Sequence, residues 1–245
     1  PRGDRSTETG TEAVSDVLLV LDTSGSMSDT LTAVTAEVSG FLDMLDGDTR
    51  VGVTTVDVES TAGALAGEAV SAGADRAAEE LDQLLSELPV GGGNEEGLEA
   101  VAMLLCRVTD AAPEGCTDSY SALDPGDVGG DVGAFRSGAR LEVVFMTDEG
   151  DGSRRLATQD DDPSVYTDLY EQFGVSLRFH GLIPGLTDEG LVCNGGGATS
   201  WGTTRYREFI TGTGGVETAI SDLVSDSECE LADVSAFLSQ VAGML

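Results

Sequence analysis

Val17-Leu18-Leu19-Val20-Leu21-Asp22-Thr23-Ser24-Gly25-Ser26-Met27 is the stretch whose reading decides the fold. Its first half is apolar without polar alternation, which predicts a strand covered on both faces. Its second half sets Asp22, Ser24 and Ser26 on alternate residues, one carboxylate and two hydroxyls. These are hard oxygen donors, the kind that Mg2+ and Ca2+ accept. Beyond them Leu31, Val34, Val38, Leu42 and Leu45 recur at helical spacing, so a helix is expected from Asp29 to Leu45, with Ser28 or Asp29 as its cap. Oxygen donors thus stand where a buried strand gives way to a helix, the place at which open α/β sheets hold their sites. Asp and Ser at these positions also fit an ordinary capped turn, and two later stretches bear on the choice.

The first of these is Gly91-Gly92-Gly93-Asn94-Glu95-Glu96-Gly97-Leu98, a glycine turn opening a helix that runs to about Val108. The second is Leu141-Glu142-Val143-Val144-Phe145-Met146, another buried strand, which ends in Thr147-Asp148-Glu149-Gly150-Asp151. Between and around them the chain alternates. Arg50 to Val56 reads as a strand, Ala62 to Ala66 as a weak edge strand, and Ala74 to Leu88 as a helix closed by Pro89. A helix near Pro163 to Phe173, a strand from Val175 to Leu182, a helix at Thr204 to Ile210, a short strand after Val216 and a closing helix from Leu231 to Leu245 complete the series. His180, in the strand from Val175 to Leu182, reads as a packed, hydrogen-bonded residue. Such alternation predicts a doubly wound, mostly parallel α/β sheet with helices on both faces and the strand order 3-2-1-4-5-6. In that order strands one and four are neighbours, so Asp22, Asp148 and the glycine turn at 91–96 converge on one crevice.

Residues 1–13 read as a disordered lead-in, and 14–245 as one domain with a Gly- and Asp-rich loop at about 111–140. Arg2-Gly3-Asp4 is a chance match to an integrin-recognised tripeptide, and Asp124, Asp127 and Asp131 belong to a solvated acidic loop. The formal charge is −33 over 245 residues, and every basic side chain is arginine. Such a surface repels nucleic acid and anionic lipid and suits cations or a salty medium. The apolar runs are strand length, so no membrane insertion is expected. With one histidine and no Cys-X-X-Cys pair, zinc is not expected. Cys106, Cys116, Cys193 and Cys229 allow three pairings; the expected bridges are Cys106–Cys116 and Cys193–Cys229, against the alternative of free thiols in a reducing compartment.

Asp22-Thr23-Ser24-Gly25-Ser26, at the end of a first buried strand, resembles the Asp-X-Ser-X-Ser signature of von Willebrand factor A domains, which include the integrin I domains. The resemblance covers about Val14 to Leu245. It implies a metal-ion-dependent adhesion site in which Ser24 and Ser26 bind the ion through their hydroxyls, and Asp22 and Asp148 act directly or through water. Many members place Thr after paired glycines, where this chain has Gly93. Asn94-Glu95-Glu96-Gly97 instead resembles the Pro-Glu variant of integrin β-chain I-like domains, which assigns Glu96 as a metal ligand with Glu95 as the alternative. Glu95, Glu149 and Asp151 are candidates for an accessory ion. The implied cofactor is Mg2+ or Ca2+, with Mn2+ as a substitute, and the implied partner is an acidic group on a protein or surface. The Asp-Glu-X-Asp stretch after strand four is similar to that of secreted bacterial members, so a secreted or cell-surface, monomeric, non-enzymatic binding domain is expected. An intracellular assembly subunit partnering an ATPase is the alternative. A metal-assisted hydrolase is a weaker one, because serine needs a base and no Gly-X-Ser-X-Gly elbow occurs.

Overall fold

Val17–Leu21 lies within strand β1 (Ser15–Leu21), every residue of which is buried. The computed structural model of the chain describes residues 14–89, 95–110, 116, 131–153, 164–185, 192–193, 196–197, 203–220 and 234–245. β1 pairs in parallel with β2 (Arg50–Thr55) on one side and β4 (Arg140–Met146) on the other. Outward from β4 come β5 (Leu177–Ile183) and β8 (Glu217–Ala219), both parallel; outward from β2 comes β3 (Val70–Ser71), antiparallel. The six-stranded order β3-β2-β1-β4-β5-β8 is the expected 3-2-1-4-5-6. The fold is therefore a doubly wound, mostly parallel α/β sheet. A separate two-stranded ribbon, β6 (Val192–Cys193) with β7 (Gly196–Gly197), was not expected from the sequence.

Each face of the sheet carries its own apolar layer, which is why the central strands show no polar alternation. On one face α2 (Val58–Thr61), α4 (Gly97–Val108), α5 (Ser164–Gln172) and α6 (Thr203–Thr213) bury Leu18, Val20, Val143, Phe145 and Phe179. On the other, α1 (Ser28–Met44), α3 (Ala77–Ser86) and α7 (Val234–Ala242) bury Val17, Leu19, Leu21, Val144 and Met146. No helix among the described residues is long and apolar enough to cross a membrane.

The edge of the sheet differs from expectation. Ala62 to Ala66 is not a strand; the edge strand is Val70–Ser71. Asp57 caps a helical turn instead, accepting the N–H groups of Glu59 and Ser60 at 3.1 and 3.3 Å, and Ala62 ends that turn with a left-handed φ of 47°. Backbone bonds from Ala72 to Thr49 and from Gly73 to Gly47, both 2.8 Å, then bring the chain alongside β2. α1 also starts differently. It continues from a 3-10 turn over Gly25–Met27, and its N-cap position is Met27; the side chains of Ser28 and Asp29, expected as caps, lie outside what is described.

Charges at the strand starts are buried but partnered. Asp16 accepts the Arg50 N–H and the Arg136 Nε–H, each at 2.8 Å. Glu142 accepts Arg140 Nε at 2.6 Å and meets His180 Nε2 at 2.9 Å. His180 Nδ1 accepts the Val216 N–H at 3.0 Å, so its proton sits on Nε2 and is donated to Glu142. The Cys106–Cys116 bridge is formed, with the two Cα atoms 5.8 Å apart. Cys229 lies outside the described residues, and with it the expected Cys193–Cys229 bridge. So do the lead-in at 1–13, Asp124 and Asp127; Asp131 pairs with Arg107 at 2.7 Å.

Candidate metal centre

The β1 end is tied to its neighbour by the Asp22 N–H, which donates to Met146 O at 2.9 Å. The Asp22 carboxylate, 1 % exposed, divides its oxygens. Oδ1 accepts the Ser24 N–H at 2.8 Å, and Oδ2 accepts the Thr147 hydroxyl at 2.8 Å. The first bond is the local turn that Asp favours; the second crosses to the β4 end. Ser24 Oγ and Ser26 Oγ stand 2.9 Å apart, and Ser26 Oγ donates to Asp148 Oδ1 at 3.2 Å. Five residues with oxygen-bearing side chains, from two segments, thus form one connected group at the switch point of the sheet. Thr147, which holds Asp22 from β4, was not singled out in the sequence. Its position one residue past a buried strand was the available signal.

The third segment enters through α4. Glu95 and Glu96 are both nearly buried, at 8 % and 1 % exposed. Glu96 occupies the residue before the helix; its N–H donates to Val56 O at 3.0 Å and its carbonyl accepts the Ala100 N–H at 2.9 Å. Glu95 feels other carboxylates. Its pKa is pushed up to about 8 by burial, then by the charges of Glu149 and Asp22 and a hydrogen bond with Glu149. Asp148 is pushed up to about 6 by burial and the charge of Asp22, against the pull of the Ser26 hydroxyl. Glu95 thus lies within reach of the charges of Glu149 and Asp22.

Asp151 is turned elsewhere. It is fully buried, its Oδ1 accepting the Leu98 N–H at 3.1 Å and the Ser153 hydroxyl at 2.6 Å, while Oδ2 lies 2.9 Å from Arg205 Nη1. Burial pushes its pKa up to about 6 against the Arg205 charge and these hydrogen bonds. Beside it, Gly97 lies so close to Tyr206 that a Cβ there would stand 2.4 Å from the phenolic oxygen. Glycine at this position admits the α4 start to the crevice.

The donor set fits a hard divalent cation: hydroxyls and carboxylates, no soft ligand, and no arginine paired to Asp22, Glu95, Asp148 or Glu149 among the described residues. Repulsion among the carboxylates is the term that a bound cation would relieve. No three His, Cys, Asp or Glu side chains among the described residues form a metal-ligand cluster by themselves, so the serine hydroxyls would have to take part.

No family model matches the chain, and no curated protein matches it. Solved structures do. The pilus adhesin SpaC from Lactobacillus rhamnosus GG aligns in its open conformation with a TM-score of 0.52 at 14 % identity, over 96 % of this chain and 30 % of that one. Another form of SpaC aligns with a TM-score of 0.54 at 14 % identity, over 96 % and 31 % of the two chains. A von Willebrand factor type A protein from Catenulispora acidiphila aligns with a TM-score of 0.36 at 13 % identity, over 82 % and 42 %. The chain spans less than half the length of each of these. At such identities the likeness is one of fold.

Proposed function

We propose that this chain is a metal-ion-dependent adhesion or ligand-binding domain of a cell-surface protein. A divalent cation, Mg2+ or Ca2+, is held by Ser24, Ser26, Asp22, Asp148 and a glutamate of the α4 start, and it captures an acidic group on a partner protein or surface. The observation that carries this reading is the contact of Ser26 with Asp148 beside Asp22 and Glu95, an acidic group whose mutual repulsion calls for a cation. The bound ion would supply a Lewis-acid contact for the partner's carboxylate. The protein's part is to orient the hydroxyls and to keep Asp22 fixed through Thr147. Of the two expected glutamates, Glu96 is the assigned ligand and Glu95 the alternative; Glu149 and Asp22 act on Glu95.

The Cys106–Cys116 bridge supports an extracytoplasmic setting over a cytosolic assembly partner, and a pilus adhesin among the fold relatives agrees with a surface role. A serine hydrolase is disfavoured, because His180 is committed to Glu142 and the Val216 N–H and so is not a base for Ser24 or Ser26. Titration calorimetry with Mg2+, Ca2+ and Mn2+ tests the proposal. A single site of divalent affinity is expected. Equal affinity in a variant carrying both Asp22→Ala and Asp148→Ala would refute it.

A further inference from the structure

The α4 start has backbone donors that an isolated helix leaves orphaned. Here they are met from another segment. Asp151 Oδ1 accepts the Leu98 N–H and Ser153 Oγ accepts the Glu99 N–H, each at 3.1 Å, while the Gly152 N–H donates to Glu95 O at 2.6 Å. The strap 151–153 begins three residues after Asp148, and the helix begins two residues after Glu95. The strap is in turn gripped from α6. Arg205 Nη1 donates to Ser153 O at 2.6 Å and Asp151 O at 3.3 Å, and lies 2.9 Å from Asp151 Oδ2. The guanidinium is 6 % exposed and sits 5.4 Å over the Tyr166 ring, so its charge is spent inside the protein, on this strap and this ring.

We propose that Arg205 and Asp151 act as positioning residues for the metal centre, a clamp that sets the separation of Glu95 from Asp148 by lashing the strap to the α4 start. This deepens the cation-binding reading and rests on it. Glu95 stands two residues before α4 and Asp148 three residues before the strap, so bonds between the helix start and the strap bear on the separation of both. Neither has a covalent or strand-ladder restraint toward the other, whereas the bonds from 151–153 join their backbones within a few residues of both side chains. The buried Arg205 supplies what a neutral strap would lack, an ion-pair partner 2.9 Å from Asp151 Oδ2 that fixes this carboxylate as the acceptor for the Leu98 N–H.

The experiment compares Arg205→Ala, Arg205→Lys, Asp151→Asn and the distant Glu142→Gln in Mn2+ calorimetry and in Tb3+ luminescence lifetimes, which count water on the ion. In Arg205→Ala, Mn2+ affinity is expected to fall about tenfold to a hundredfold, the range for loss of a residue that orients ligands, with more water on Tb3+. Arg205→Lys should recover part of the affinity. Glu142→Gln, although destabilised, should bind Mn2+ as the parent does. Should Arg205→Ala not fold, Asp151→Asn carries the same expectation, because it keeps a cap acceptor but loses the charge partner. A folded Arg205→Ala or Asp151→Asn with unchanged affinity and water count overturns the clamp while leaving the metal centre standing. A parent that binds no divalent ion overturns both.

Discussion

Ser26 Oγ donates to Asp148 Oδ1 at 3.2 Å across 122 residues of sequence. This contact joins the serine end of the Asp-X-Ser-X-Ser turn to the β4 end, beside the bonds that Asp22 makes to Met146 and Thr147. Ser26→Ala removes a proposed ligand and this bond together. Its Mg2+ affinity should fall at least about tenfold, no less than a lost orienting residue costs, while thermal stability without metal shifts little because Ser26 is half-buried. Calorimetry and thermal melts on the same sample check both halves.

Cation binding should depend on pH with a defined sign. Asp148 rises from 3.8 to about 6 and Glu95 from 4.5 to about 8 in the cation-free protein. Protons therefore compete with the ion below these values, and affinity for Mg2+ should climb from about pH 5 to about pH 8. The same shifts bear on stability. Both folded values lie above the unfolded ones, so the contribution of these groups is present at acid pH and is lost as pH rises through about 6 and about 8. Melting temperatures of metal-free protein should fall over that window, and Mg2+ should restore more at its alkaline end.

Glu142 acts in the opposite sense. Burial alone would raise its pKa, but hydrogen bonds from His180 and Arg140 and the charges of Arg140 and Arg178 outweigh burial and hold it below the usual 4.5. Its contribution is present above that value and is lost as pH falls through the lowered one. Glu142→Ala leaves His180 and Arg140 without their carboxylate and should cost about 3–5 kcal/mol. Urea unfolding at neutral and acid pH should show this loss shrinking as the medium becomes acid.

Replacing Cys106 and Cys116 together by alanine opens a loop with a sequence separation of 10. The chain-entropy relation for so short a loop gives a loss of about 2–3 kcal/mol. Equilibrium unfolding of the double variant, compared with the parent under non-reducing conditions, measures it.

With a net charge of −33, self-repulsion should be screened by added salt. The melting temperature should rise with NaCl in the presence of chelator. A flat response would mean that the acidic coat carries little repulsive energy.

What the sequence by itself determined was the middle of the sheet and the residues at its carboxyl end. β1 and β4 were legible because a parallel strand covered on both faces must be apolar throughout, and a run such as Leu18–Leu21 or Val143–Met146 has no other ready use. Asp22, Ser24, Ser26 and Asp148 were legible because topology puts the ends of neighbouring strands together. Tertiary structure alone decided the rest. The edge strand was misplaced because a two-residue strand has no periodicity of its own; Val70–Ser71 is selected by the Gly47 and Thr49 contacts, and Asp57 turns the preceding segment into a helix. The donors at the α4 start are met from distant sequence, where Asp151 and Ser153 accept the Leu98 and Glu99 N–H groups and Arg205 pairs with Asp151. Neighbouring residues of one type differ only in the direction they point, and direction at a helix start is set by partners that sequence spacing does not reveal.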